Sequence, residues 1–88
     1  MSVIIDHLEN MTDVVRTDDG LFLIRSYPSV RGGYRSRIYR IKGREPSGKY
    51  IMSAPSLSMI NYGEEDEMIA GHAALTNSLE AHMRMIGK

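Results

Sequence analysis

The chain has 88 residues, of which 42% are hydrophobic, and it contains no cysteine. This length allows a single domain spanning residues 1–88, and the hydrophobic content is enough for a core, which excludes a disordered chain. The absence of cysteine excludes disulfides and thiolate–zinc sites and fits a reducing compartment. No apolar run approaches the ~18 residues of a transmembrane helix, and no basic segment begins a signal peptide. We therefore expect a cytoplasmic protein without membrane contact.

The formal net charge of zero hides an uneven distribution. Residues 1–24 carry five acids and one base, and residues 50–88 carry five acids and two bases. Residues 25–49 carry eight bases and one acid, so the middle of the chain is strongly basic between acidic ends. This asymmetry points to an acidic partner. The eight bases are Arg25, Arg31, Arg35, Arg37, Arg40, Lys42, Arg44 and Lys49.

The first element is predicted to be a short helix that Ser2 caps and that ends near Asn10. Ile4 and Leu8 lie at helical spacing and would form its apolar face, and the spacing continues at Met11.

A longer first helix is the alternative, because the same spacing continues to Val15. However, Val14 and Val15 are adjacent β-branched residues, which favour a strand. We therefore expect a strand that begins at Thr12 or Asp13. The Asp18–Gly20 segment then carries the Asp-Gly signal of a tight hairpin.

The second predicted strand, Leu21–Tyr27, ends at Pro28 because proline has no backbone N–H to donate. Gly32 and Gly33 mark a turn that tolerates positive φ. A third strand is predicted at Arg35–Lys42. It is followed by a turn at Glu45–Gly48, a short strand at Lys49–Ser53 and a loop from Pro55 to about Gly63.

The strongest predicted element is a helix from about Glu64 to Ile86, with Gly87 as its C-terminal cap. Its acidic first turn suits the helix dipole. Gly71 inside this helix either costs about 1 kcal/mol relative to alanine or marks a close contact. The apolar face of the helix comprises Met68, His72, Leu75, Leu79, Met83 and Ile86.

Together these elements predict an α+β fold. It consists of a short N-terminal helix, a three- to four-stranded antiparallel β-meander and a C-terminal α-helix packed on one face of the sheet.

The basic segment is the candidate binding surface. Side chains alternate along a strand, so Arg35, Arg37 and Tyr39 share one face of the third strand, and Arg40 lies on the other. Arginine suits phosphates and carboxylates, and tyrosine offers a stacking surface. An ordinary solvated face, or arginines paired with the acidic helix start, are the alternatives. The candidate binding residues are Arg25, Arg31, Arg35, Arg37, Tyr39 and Arg40.

The histidines do not indicate a metal site, because His72 and His82 lie ten positions apart and form no i,i+4 pair. His72 falls on the apolar helix face, where we expect a semi-buried side chain with its hydrogen bonds satisfied. No nucleophile-elbow, Walker or dinucleotide motif is present, so we expect no metal, cofactor or catalytic residue. An enzyme would instead need a pocket that gathers His7 or His72 with an acid and a serine.

We therefore expect a small non-enzymatic regulatory or inhibitory binding protein. Its basic sheet face would bind an acidic protein surface or nucleic acid. In size and plain composition it resembles accessory proteins of phages and mobile elements. The alternative is a homodimeric interaction subunit that associates through the methionine-rich C-terminal helix, with Leu79 and Met83 in the contact.

Overall fold

Six strands and two helices make up residues 2–8 and 11–86, the part of the chain that the computed structural model describes. The α+β class and the antiparallel sheet are as predicted, but the number of strands and the first element are not. The predictions for Asn10 and Gly87 lie outside the described residues, as does the side chain of Ile86. The elements are β1 (Val3–Leu8), β2 (Thr12–Thr17), β3 (Gly20–Pro28), β4 (Tyr34–Arg44), β5 (Tyr50–Met52), β6 (Ser58–Tyr62), α1 (Glu65–Asn77) and α2 (Leu79–Ile86).

The predicted N-terminal helix is wrong, because this segment forms strand β1. It pairs antiparallel with β2, from Val3 opposite Arg16 to Leu8 opposite Thr12. Consecutive β-branched residues at its start favour a strand, and a helix this short has little stability of its own. The sheet ladder therefore determines the structure here, although the apolar spacing also fits a helix.

The next three strands follow the predicted meander. The hairpin between β2 and β3 closes at Thr17 opposite Gly20, and Gly20 has a φ of 130°. β3 ends at Pro28, as its missing N–H predicted. Gly32 and Gly33 have φ values of 98° and 71°, which confirms a turn that needs positive φ.

Strand β4 has three neighbours. One of its edges pairs with β3 along Tyr34–Arg40. The other edge is divided, since Tyr34–Ile38 pairs with β6 and Ile41–Arg44 pairs with β5. The predicted loop from Pro55 to Gly63 is therefore wrong in its second half. β6 has only five residues, which is too short for a clear alternating pattern. It also follows a stretch rich in serine and proline, which is typical of a loop.

The main core lies between the sheet and the helices. It comprises Val15, Phe22, Ile24, Ile38, Leu75 and Leu79, with Ile60 and Met83 packed against it. The opposite face of the sheet is partly covered as well, because Val14 and Leu23 are 0% and 4% exposed there. The Tyr50 hydroxyl of β5 donates to Asp6 Oδ2 of β1 at 2.9 Å. Side chains from the two ends of the sheet order thus meet, so the sheet is strongly curved.

The predicted C-terminal helix is broken in two at Ser78, whose φ of −138° and ψ of 40° are not helical. Thr76, Asn77 and Ser78 are poor helix formers whose side chains compete for backbone partners. The Thr76 hydroxyl, for example, donates to the Ala73 carbonyl at 2.9 Å.

The methionine-rich helix face predicted to bind a second copy is occupied by the chain's own sheet. Leu79 is 0% exposed in the core, and Met83 packs against the same cluster. Met68 is also buried. Leu79 and Met83 therefore contribute to the chain's own thin core.

Candidate functional site

Register and side-chain alternation gather most of the predicted binding residues on the sheet face away from the helices. Arg25 lies opposite Arg37, which lies opposite Met59. In the next row Tyr27 lies opposite Arg35, which lies opposite Asn61. We call these residues, together with Tyr39 of β4, the basic face. It comprises Arg25, Tyr27, Arg35, Arg37, Tyr39, Met59 and Asn61.

The arginines of the basic face are held by neutral partners. Arg37 Nε donates to the Tyr27 hydroxyl at 2.7 Å, and this hydrogen bond raises the pKa of the Arg37 guanidinium. Arg35 Nε donates to Asn61 Oδ1 at 3.0 Å. The Arg25 guanidinium lies 5.6 Å from the centre of the Tyr27 ring. These contacts orient the guanidinium groups without cancelling their charge.

The two other predicted binding residues lie elsewhere. Arg40 is on the helix side of β4, where its guanidinium lies 4.8 Å from the centre of the Phe22 ring. Its Nη1 also donates to the Asp19 carbonyl at 3.3 Å. Arg31 is exposed in the turn between β3 and β4. The predicted set of six residues is therefore not one surface.

The acidic start of α1 does not neutralise the basic face. Within the described part of the chain, no ion pair joins a basic-face arginine to the acidic segment Glu64–Glu67. Glu67 Oε1 instead accepts the Glu64 N–H at 2.9 Å, and Asp66 Oδ1 accepts the Glu67 N–H at 3.0 Å. These carboxylates satisfy the helix N-terminus.

A chain of hydrogen-bonded polar side chains crosses the helix–sheet interface and is buried except at His7, whose side chain is 66% exposed. Ser36 Oγ lies 2.6 Å from Ser26 Oγ, and Ser26 Oγ lies 2.6 Å from His72 Nδ1. His72 Nε2 lies 2.6 Å from Asp13 Oδ2, and Asp13 Oδ1 lies 2.6 Å from His7 Nδ1. The prediction that His72 has its hydrogen bonds satisfied is confirmed, and its side chain is buried. We call these five residues the polar chain.

The charge of Asp13 fixes the direction of the hydrogen bonds. Burial raises the pKa of this carboxyl, but hydrogen bonds with His72 and His7 outweigh burial and leave the pKa below its usual value. Asp13 is therefore ionised at neutral pH and accepts from both rings. The Ser26 and Ser36 hydroxyls continue the chain from His72 Nδ1, and each hydroxyl can donate or accept.

The polar chain is not evident from the sequence, because its members come from five separate elements, β1, β2, β3, β4 and α1. One signal was present in the alternation of β2, β3 and β4. Each of these strands places apolar residues toward the helices, yet Asp13, Ser26 and Ser36 occupy the same face. A polar residue in register with core positions needs a buried partner. His72 on the predicted apolar helix face is that partner.

A cavity of about 750 Å³ opens beside the basic face. It lies beside the start of β2, where β3 continues beyond its pairing with β2, and both sheet faces contribute to its lining. Leu23, Met52 and Met68 contribute apolar surface, and Arg25 and Lys49 contribute positive charge. Ser26 of the polar chain also lines it.

The third histidine takes no part in the polar chain, since His82 Nε2 lies 3.2 Å from the Ser58 hydroxyl. In the described part of the chain, no group of three histidine or acidic side chains is placed to hold a metal ion. No helix among residues 2–8 and 11–86 has both the length and the apolar character needed to span a bilayer. No protein-family model, curated protein sequence or solved structure matches the chain.

Proposed function

We propose that the protein is a regulatory binding module whose basic face binds an acidic surface on a partner protein. One observation carries this proposal. Three arginines from two neighbouring strands share a face, and none of the residues that β3, β4 and β6 contribute to that face is acidic. Guanidinium groups bind carboxylates in a planar, two-pronged geometry, and neutral partners already orient Arg35 and Arg37.

The contacts of the tyrosines on the basic face fit an acidic protein partner better than nucleic acid. Single-stranded nucleic acid stacks its bases on free aromatic rings. Here the Arg25 guanidinium lies over the Tyr27 ring, and the Tyr27 hydroxyl holds Arg37. Tyr27 and Tyr39 are both half-buried in the sheet. The rings therefore support the arginines and offer little stacking surface.

The test is capture of partners from cell lysate by the wild type and by Arg35→Glu/Arg37→Glu, each with and without nuclease. Partners that survive nuclease but are lost in the double variant support the proposal. The matched control is Arg40→Glu/Lys42→Glu, which makes the same change in net charge elsewhere on β4 and should retain the partners. Loss upon nuclease treatment would show nucleic acid instead, and retention by both variants would refute a role for the basic face.

A second candidate function comes from the polar chain. Ser26, His72 and Asp13 are hydrogen-bonded in the order of nucleophile, base and orienting acid, and Ser26 lines the cavity. In such a hydrolase the Ser26 oxygen would attack an acyl carbon while its proton moves to His72 Nδ1. The proton would then pass to the leaving group, and water would release the acyl group. However, Ser26 is only 4% exposed. Its backbone N–H donates to the Met11 carbonyl, so this N–H is not available to stabilise an oxyanion.

A fluorophosphonate probe decides this second candidate. Labelling of the wild type that is lost in Ser26→Ala and in His72→Gln, but kept in Ser36→Ala, would support a nucleophilic serine. No labelling of the folded wild type would exclude it.

A further inference from the structure

The cavity and the basic face share Arg25, and this overlap indicates what kind of segment the protein binds. Arg25 lies opposite Arg37 on the basic face and also lines the cavity. Lys49 lines the same cavity from the segment that precedes β5. Glu65, at the start of α1, is the acidic residue of its described lining. Positive charge therefore exceeds negative charge around an opening that leads to apolar surface.

The size and lining of the cavity suit a side chain of the partner. A volume of about 750 Å³ is ample for one aromatic or long aliphatic group. Met52 and Met68 contribute flexible, polarizable surface that adapts to different shapes. Interfaces commonly draw most of their affinity from an apolar group buried in a pocket that is surrounded by polar contacts. The cavity has the form of such a pocket beside a charged surface.

The cavity also favours protein over nucleic acid. A phosphate chain that passes from the basic face to the cavity would meet the carboxylate of Glu65. A peptide can instead place an uncharged side chain at that point and its carboxylates over Arg25 and Arg37.

We infer that the partner contributes an acidic peptide segment with one large apolar residue, which enters the cavity while flanking carboxylates bind Arg25, Arg37 and Lys49. This inference rests on the proposed function, because it names the partner segment of the same site.

Fluorescence anisotropy with synthetic probes tests it. The probes are a labelled peptide of about twelve glutamate and serine residues with a central phenylalanine, the same peptide with a central serine, and a dT oligonucleotide of about equal length. We expect the phenylalanine peptide to bind at least about tenfold more tightly than the serine peptide. Equal affinity for the two peptides would overturn the cavity inference and leave the proposed function intact. Binding of neither peptide, or tighter binding of the oligonucleotide, would overturn both.

Two neighbouring substitutions locate the apolar residue of the probe. Met52→Trp places a larger side chain in the lining of the cavity, and we expect it to reduce the advantage of the phenylalanine peptide. Ile51→Trp is the matched control, because Ile51 is similarly exposed (43% against 40% for Met52) and does not line the cavity. Thermal unfolding followed by circular dichroism confirms that both variants fold. An unchanged preference in Met52→Trp, or an equal loss in Ile51→Trp, would contradict the assignment.

Discussion

Gly71 of α1 lies so close to the ring of Tyr62 in β6 that no β-carbon fits between them. A β-carbon built at position 71 would clash with the Tyr62 hydroxyl oxygen and would be 2.5 Å from Cε1 and 2.6 Å from Cζ of the ring. The glycine therefore marks a close contact, one of the two explanations that the sequence allowed. The helix gives up intrinsic stability at this position and gains proximity to the sheet.

We predict that Gly71→Ala destabilises the protein by about 1–3 kcal/mol, because the Tyr62 ring must move. This is opposite to the gain of about 1 kcal/mol expected from helix propensity alone. Urea unfolding measures the change in the free energy of unfolding. In a Tyr62→Ala background the same substitution should become stabilising. If Gly71→Ala is stabilising in the wild-type background, the close contact is not a constraint.

The turn between β3 and β4 offers a matched pair of glycines. Both have positive φ, but a β-carbon at Gly33 would lie 2.7 Å from the Tyr62 carbonyl oxygen, whereas one at Gly32 would meet nothing within 4 Å. We predict that Gly32→Ala costs about 1 kcal/mol from backbone strain and that Gly33→Ala costs more. Equal costs in urea unfolding would show that the contact with Tyr62 does not matter.

Asp13→Asn should destabilise the protein by about 1–3 kcal/mol near neutral pH, because a neutral amide satisfies the two imidazole donors less well. The folded-state pKa of Asp13 is depressed. Its stabilisation is therefore present above the unfolded-state pKa of about 4 and is lost as the pH falls through the folded-state value. The stability difference between the wild type and Asp13→Asn should thus be smaller at about pH 3 than at about pH 5. A difference that does not change with pH would contradict this account.

Leu79→Ala should lower the free energy of unfolding by about 2–5 kcal/mol, since it opens a cavity in the core. Ile69→Ala is the control, because Ile69 is half exposed on α1 and should cost less than about 1 kcal/mol. Sedimentation at several concentrations shows whether either change alters association. A Leu79 variant of unchanged stability that dissociates a dimer would support the predicted dimer face.

Local signals predicted the central strands, and long-range contacts decided the elements that were missed. The Asp-Gly hairpin at Gly20, the stop at Pro28 and the paired glycines define turns through backbone chemistry alone. The strand conformation of β1 and β6 depends on backbone pairing with β2 and β4. Their short sequences are also compatible with a helix or a loop. The helix break at Ser78 lies within an apolar pattern that continues across it.

The same distinction applies to the candidate site. Strand alternation alone predicted that Arg35, Arg37 and Tyr39 share a face and that Arg40 lies opposite them. Placing Arg25 on the same face required the pairing register between β3 and β4, which cannot be derived from the sequence. The polar chain required five elements to meet, and only the polar residues at core positions indicated it.

The divided edge of β4 has a consequence for how this chain tolerates insertions and deletions. Removing Arg35 would exchange the two faces of the strand after Tyr34, turning Ser36 and Ile38 outward and Arg37 into the core. Because β3 and β6 both pair with this segment, no neighbouring strand could shift alone to compensate. The exposed turn at Glu45–Gly48 carries no such constraint, so changes in length should accumulate there and not in β4.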